Sequence, residues 1–152
     1  VTIQNMTEIK SSRVEDTRKI ARVLAEEIKK QRSKRTALVF ALQGDLGSGK
    51  TTFAQSFAKT LGIKEKITSP TFVILKIYKL EAKSYKLFIH IDCYRLNSPE
   101  ELEHLGFRNI LKDKDAIIVI EWAERVKKLL PKSAVWIKFE HGKTPQERTI
   151  KF

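Results

Sequence analysis

The sequence contains one cysteine, one methionine, four prolines and six glycines in 152 residues. The lone Cys93 has no internal partner for a disulfide, which excludes the disulfide-stapled secreted class and favours a reducing compartment. No apolar run approaches the ~20 residues that a membrane-spanning helix needs; Ala116 to Ile120 is typical. No charged start followed by an apolar stretch and small residues resembles a signal peptide. These absences predict a cytoplasmic location and no membrane contact. The chain opens on Val1 and its only methionine is Met6, so a few residues are expected to be missing from its start. Internal repeats, low-complexity tracts and linkers are also missing. No run of like charge reaches the roughly five or six residues that mark a solvated tail.

What is present suits one globular domain over residues 1–152, with 41% hydrophobic and 32% charged residues. The net charge of +12 points to acidic partners such as nucleotides, RNA or acidic protein faces. A solvated lysine-rich surface explains it equally well. The basic residues are spread from Arg13, Arg18 and Lys19 through Lys29, Lys30 and Arg35 to Lys127, Lys128 and Lys132. Charge alone therefore does not establish nucleic-acid binding.

Hydrophobic spacing divides the chain into alternating elements. Thr2 to Ile9 reads as a short edge strand. Arg13 to Gln31 is helical, with Val14, Ala21, Leu24 and Ile28 on one face. Thr36 to Leu42 is a buried strand, and Thr51 to Leu61 is a helix that Gly62 stops. Thr71 to Leu80 and Lys86 to Ile91 form a hairpin. Ser98-Pro99-Glu100-Glu101 opens a helix, with a capping box between Ser98 and Glu101, and that helix ends near Gly106. Ala116 to Ile120 is a strand, Trp122 to Leu130 a short helix, and Val135 to Glu140 with Arg148 to Phe152 a final hairpin. The expected fold is an α/β, P-loop-like three-layer domain. Its sheet is mixed and mainly parallel, with antiparallel edge hairpins.

Gly44-Asp45-Leu46-Gly47-Ser48-Gly49-Lys50-Thr51 fits G-x-x-x-x-G-K-[ST], between a strand and an amphipathic helix. The glycines let the main chain curl into a nest of N–H donors at a helix N-terminus, which suits phosphates. Lys50 supplies a point charge for the β and γ phosphates. The Thr51 hydroxyl is a hard ligand for Mg²⁺, and Thr52 is within reach of a phosphate. The loop thus predicts ATP or ADP with Mg²⁺.

Two strands end in carboxylates, at Asp92 and Glu121. Such ends hold the metal and orient the attacking group in phosphoryl transfer. Which of the two touches the metal stays open, with Glu121 preferred. Ser69, Pro70 and Thr71 form a polar lead into a strand and read either as a switch sensing the γ phosphate or as an ordinary turn. Trp122 packs beside the nucleotide or in the core. His90, alternating with apolar neighbours, reads as structural. His104 and His141 have no metal-site spacing, and Cys93 reads as inert.

The ordered set GDLGSGKTTF, TSPTF, HIDCYRL, SPEELEHLGF and IEWAER resembles the TsaE (YjeE) family, from about Ile20 to Lys138. The resemblance implies a bacterial ATPase of tRNA threonylcarbamoyladenosine synthesis, with ATP at Asp45 to Thr52 and Mg²⁺ on Thr51 and Glu121. It implies that Lys50, Asp92 and Glu121 act in hydrolysis and that Trp122 lies beside the nucleotide. It makes Ser69, Pro70 and Thr71 switch-like. TsaD and TsaB would be the partners, acting on adenosine 37 of tRNA, with an accessory tRNA contact. Arg148 would match a basic residue near the nucleotide, and Val14 and Thr17 would border the adenine. Two other functions fit a small P-loop chain. One is a small-molecule kinase, although no arginine-rich lid is evident. The other is a nucleotide-switched RNA-binding module, although aromatic interleaving of the RNA-recognition type is missing.

Overall fold

Continuous apolar runs become strands buried on both faces, and the helical stripes become the layers that cover them. The computed structural model describes residues 8–31, 34–69 and 73–152. Its strands are β1 (Glu8–Ser11), β2 (Leu38–Gly44), β3 (Leu75–Lys79), β4 (Leu87–Asp92), β5 (Ala116–Glu121), β6 (Val135–His141) and β7 (Arg148–Lys151). Its helices are α1 (Val14–Lys30), α2 (Lys50–Thr60), α3 (Pro99–His104) and α4 (Phe107–Leu111), with a 3-10 segment over Ala123–Leu129.

One seven-stranded sheet runs in the order β1-β7-β6-β2-β5-β4-β3. The central pairings β6–β2, β2–β5 and β5–β4 are parallel. The edges close antiparallel, through β3 on one side and through β7 and β1 on the other. Both expected hairpins, β3–β4 and β6–β7, are present. Parallel pairing sets Leu42 and Asp92 each opposite Glu121, so three strands finish level at one end of the sheet.

α1 and α2 cover one face. Leu24, Ile28, Phe53 and Phe57 meet Phe40, Phe88 and Phe139 there. Phe57 meets Phe40 edge-on at 5.0 Å, and Phe53 meets Phe139 at 5.6 Å. Each buried phenyl contributes about 1.5–3 kcal/mol of transfer free energy, so this cluster anchors α2, and with it the start of that helix, to the sheet. α3, α4 and the 3-10 segment cover the other face, where Leu102, Phe107 and Val126 pack on Val39, Ile118 and Ile120.

Local chemistry sets the helix ends. α1 starts where the Asp16 carboxylate accepts from the Ser12 and Arg13 N–H groups at 3.0 Å each. α3 opens on the expected box, with Glu101 accepting from the Ser98 N–H at 3.2 Å. Gly106, at φ 82°, stops α3 and at once caps α4, a helix the sequence reading did not separate. The helix expected over residues 122–130 winds as 3-10. The early edge strand is Glu8–Ser11, and residues 2–7 of the expected one lie outside the described residues. No helix among the described residues is long and apolar enough to cross a membrane.

Cys93 is fully buried, and that burial, with Asp92 and Glu124 nearby, pushes its thiol up to about 12. A thiol reagent at about pH 8 is expected to leave Cys93 unmodified in the folded protein and to label it fully in urea, because only the exposed thiolate reacts. Rapid labelling of the folded chain would contradict this.

Candidate functional site

The glycine loop begins where β2 runs out. Gly44 has φ 150°, and a Cβ there would sit 2.4 Å from the Phe139 carbonyl oxygen, so β6 admits no side chain at this point. Gly47 and Gly49, at φ 72° and 107°, complete the curl in the region that disfavours other residues. Phe53 N–H makes a helical bond to the Gly49 carbonyl at 2.9 Å. The N–H groups of Lys50, Thr51 and Thr52, ahead of it, have no carbonyl inside the helix to bond. Lys50 folds inward. Its Nζ donates to the Gly44 and Asp45 carbonyls at 2.6 and 2.8 Å and stands 4.1 Å from the Trp122 ring centroid. Burial pushes this ammonium's pKa down, while the negative charges of Glu121, Glu124, Asp92 and Asp45 oppose the shift.

Glu121, at the tip of β5, is 2% exposed. Its Oε2 accepts from the Thr51 hydroxyl at 2.7 Å, and its Oε1 lies 2.9 Å from His90 Nε2. Asp92, at the tip of β4, accepts from the Ser69 hydroxyl, and from the Tyr94 N–H at 2.9 Å. Trp122 turns the chain out of the sheet at φ 57°, the only positive φ of a non-glycine among the described residues. That left-handed turn costs about 1–2 kcal/mol. It brings the indole against Lys50, with its centroid 5.0 Å from the Tyr94 ring. The Arg125 guanidinium lies 5.6 Å from the same indole.

A cavity of about 370 Å³ opens among these elements. Of the residues singled out from sequence, Leu46, Gly47, Ser48, Gly49, Lys50, Thr51, Thr52, Ser69, Asp92, Glu121 and Trp122 line it, and so do Val14, Thr17 and Arg148. Asp45 is not among the lining residues; its carbonyl holds Lys50. Pro70 and Thr71 lie outside the described residues. Tyr94 and Gln146 also line the cavity, and the sequence reading gave neither a role. The β6–β7 hairpin touches the loop from the side. Arg148 Nη2 donates to the Gly47 carbonyl at 2.9 Å, and His141 Nε2 lies 3.1 Å from that of Leu46.

Among the described residues, no group of three His, Cys, Asp or Glu side chains is placed to hold a metal by itself. Thr51 and Glu121 instead offer two hard oxygens beside a helix N-terminus. That suits Mg²⁺, which takes few protein ligands and completes its shell with phosphates and water. His90 makes a contact that the sequence reading did not anticipate. Read as structural, it is fully buried and bonded to the carboxylate of the site. Local spacing does not pair it with Glu121; the parallel register of β4 and β5 does.

The family described as "Threonylcarbamoyl adenosine biosynthesis protein TsaE" matches residues 11–150. The "tRNA threonylcarbamoyladenosine biosynthesis protein TsaE" of Borreliella burgdorferi is 44% identical over 98 residues, 64% of this chain and 69% of that protein. Its Rickettsia conorii counterpart is 39% identical over 127 residues, 83% of this chain and 66% of that protein. The aligned segments thus span about two thirds of these relatives' own length. The crystal structure of Bacillus subtilis YdiB superposes with a TM-score of 0.73 at 28% identity, over 97% of this chain and 84% of that one. On this match across nearly its whole length, the chain belongs to the TsaE family of threonylcarbamoyl adenosine biosynthesis proteins.

Proposed function

We propose that the chain binds ATP with Mg²⁺ in the 370 Å³ cavity and hydrolyses it slowly, in support of TsaD and TsaB as they form threonylcarbamoyladenosine at position 37 of tRNA. The observation that carries this reading is the contact of Thr51 with Glu121 at 2.7 Å beside the glycine loop. It joins the first turn of the loop's helix to the tip of the neighbouring strand. Lys50 sits in the same cavity and supplies the cation for the phosphates. Thr51 and Glu121 hold the metal, and Asp92 orients the attacking water. With Mg²⁺ bound there, the Thr51 and Glu121 oxygens would hold it where it could neutralise charge on the phosphate oxygens. Trp122 and Tyr94 wall the cavity. The net charge of +12 suits an accessory contact with tRNA. On this proposal the chain works in the cytoplasm, a reducing compartment that suits its single free cysteine.

Reconstitution tests the proposal. Purified chain, TsaD, TsaB and tRNA are combined with the threonylcarbamoyl donor, and modified adenosine is counted over many cycles. Sustained product formation is expected only with the chain and ATP both present, together with faster ATP hydrolysis than by the chain alone. Equal product without the chain, or with a non-hydrolysable ATP analogue over many cycles, would refute it.

A further inference from the structure

His90 lies on the face of β4 that carries Phe88, toward α1 and α2. The parallel register sets it against Val119, two residues before Glu121 on the same face of β5. Its Nε2 is 2.9 Å from Glu121 Oε1, while the other oxygen of that carboxylate takes the Thr51 hydroxyl at 2.7 Å. A carboxylate oxygen accepts, so Nε2 carries the proton and donates. Glu121 is therefore held at both oxygens, by β4 on one side and α2 on the other. His90 is fully buried, and its Nδ1 has no hydrogen-bond partner among the described residues. Burying an unpaired polar atom is unfavourable, and an apolar side chain would fill the same space without that cost. The one polar contact this ring gains is the carboxylate.

We propose that His90 is a positioning residue: its Nε2–H fixes the Glu121 carboxylate so that the second oxygen faces Thr51. The proposal deepens, and rests on, the reading of Thr51 and Glu121 as the pair that holds Mg²⁺. Partners that orient a metal-holding carboxylate typically change affinity or activity about 10- to 100-fold when removed. The bond to Glu121 comes from β4, outside the loop, so the direction of the carboxylate does not depend on the loop alone.

His90→Gln and His90→Asn separate this role from packing. Both are polar and of similar size. A glutamine amide reaches the Nε2 position, and an asparagine amide stops near Nδ1. Manganese binding to the ADP-loaded protein is read from the free-ion EPR signal, and ATP turnover is read with TsaD and TsaB present. His90→Asn is expected to weaken Mn²⁺ binding about tenfold and to lower kcat about 10- to 100-fold, with KM and metal-free ADP affinity unchanged. His90→Gln is expected to recover most of both. Wild-type values in His90→Asn, or equal losses in the two variants, would overturn the proposal. Nitrogen-15 histidine spectra of the wild-type protein add a test that needs no variant: a proton on Nε2 is required, and its absence would also overturn the proposal. Glu121→Gln distinguishes the underlying reading. If it keeps both readouts intact, the metal pair falls and the role of His90 with it. If Glu121→Gln is disabled while His90→Asn is not, only the positioning role fails.

Discussion

Lys50→Ala is expected to weaken ADP binding by about two orders of magnitude or more. Each charge-assisted hydrogen bond to a phosphate contributes roughly 1.5–3 kcal/mol, and 1.4 kcal/mol is a factor of ten. The structure shows why the loss should be specific to the ligand. The ammonium bonds the Gly44 and Asp45 carbonyls and faces the Trp122 ring, while its burial pushes its pKa down. It is thus held by neutral carbonyls in a place where burial disfavours its charge. A phosphate supplies the directly bonded opposite charge that the neutral carbonyls do not. Removing the lysine costs the fold two carbonyl contacts and relieves it of a desolvated cation, two effects of opposite sign. The midpoint of thermal unfolding should therefore move little. Titration with a fluorescent ADP analogue reads the binding, and circular dichroism reads the fold. Wild-type affinity in a folded Lys50→Ala protein would overturn the phosphate-loop reading at its base. Lys50→Arg is not a harmless control, because the planar guanidinium cannot take the compact ammonium's place between the two carbonyls.

The parts of this site that the sequence made legible are those written in consecutive residues. The glycine loop is local, and its strand and helix flanks differ in hydrophobic period. The acidic strand tips were legible because two apolar runs each end in a carboxylate. Side-by-side placement of Asp92 and Glu121 then needed only parallel pairing, which short strands separated by helices favour. The contact of His90 with Glu121 was not legible because that partner lies 31 residues away. That contact appears only once the register sets β4 against β5. Arg148 was reached only through the family resemblance, because its bond to the Gly47 carbonyl spans 101 residues. Nothing local distinguishes Gln146 from any other polar turn residue. α4 was missed because one glycine serves two helices, ending α3 and capping its successor with the same left-handed backbone. A stop signal and a start signal cannot be told apart at that position by pattern. The 3-10 winding of Ala123–Leu129 was hidden similarly: Trp122 enters it at φ 57°, a turn that no propensity scale expects of an aromatic residue.

Glu121→Gln is expected to lower ATP turnover about a hundredfold while leaving ADP affinity in the absence of metal within about threefold of wild type; removal of one preorganised electrostatic group costs that order of rate. The amide keeps the volume of the acid in a site 2% exposed. Its oxygen still accepts from Thr51. Its NH₂ group faces His90 Nε2, which must then give up its proton to Nδ1 and accept. That tautomer change is available to a neutral ring, so the fold is expected to survive. What is lost is the negative charge beside the phosphates, together with a hard oxygen for the metal. Glu121→Asp separates charge from reach. It keeps the carboxylate but withdraws it by one methylene from both Thr51 and His90, which stand 2.7 and 2.9 Å away in the structure. Its turnover is expected to fall between those of Glu121→Gln and wild type, and raising Mg²⁺ should recover part of the loss in Glu121→Asp but none in Glu121→Gln. Phosphate release across a magnesium series, with TsaD and TsaB present, measures both variants. Full turnover in Glu121→Gln would take the metal role from β5. If Asp92→Asn then abolished metal dependence, that role would pass to the tip of β4, the other carboxylate on the same edge of the cavity.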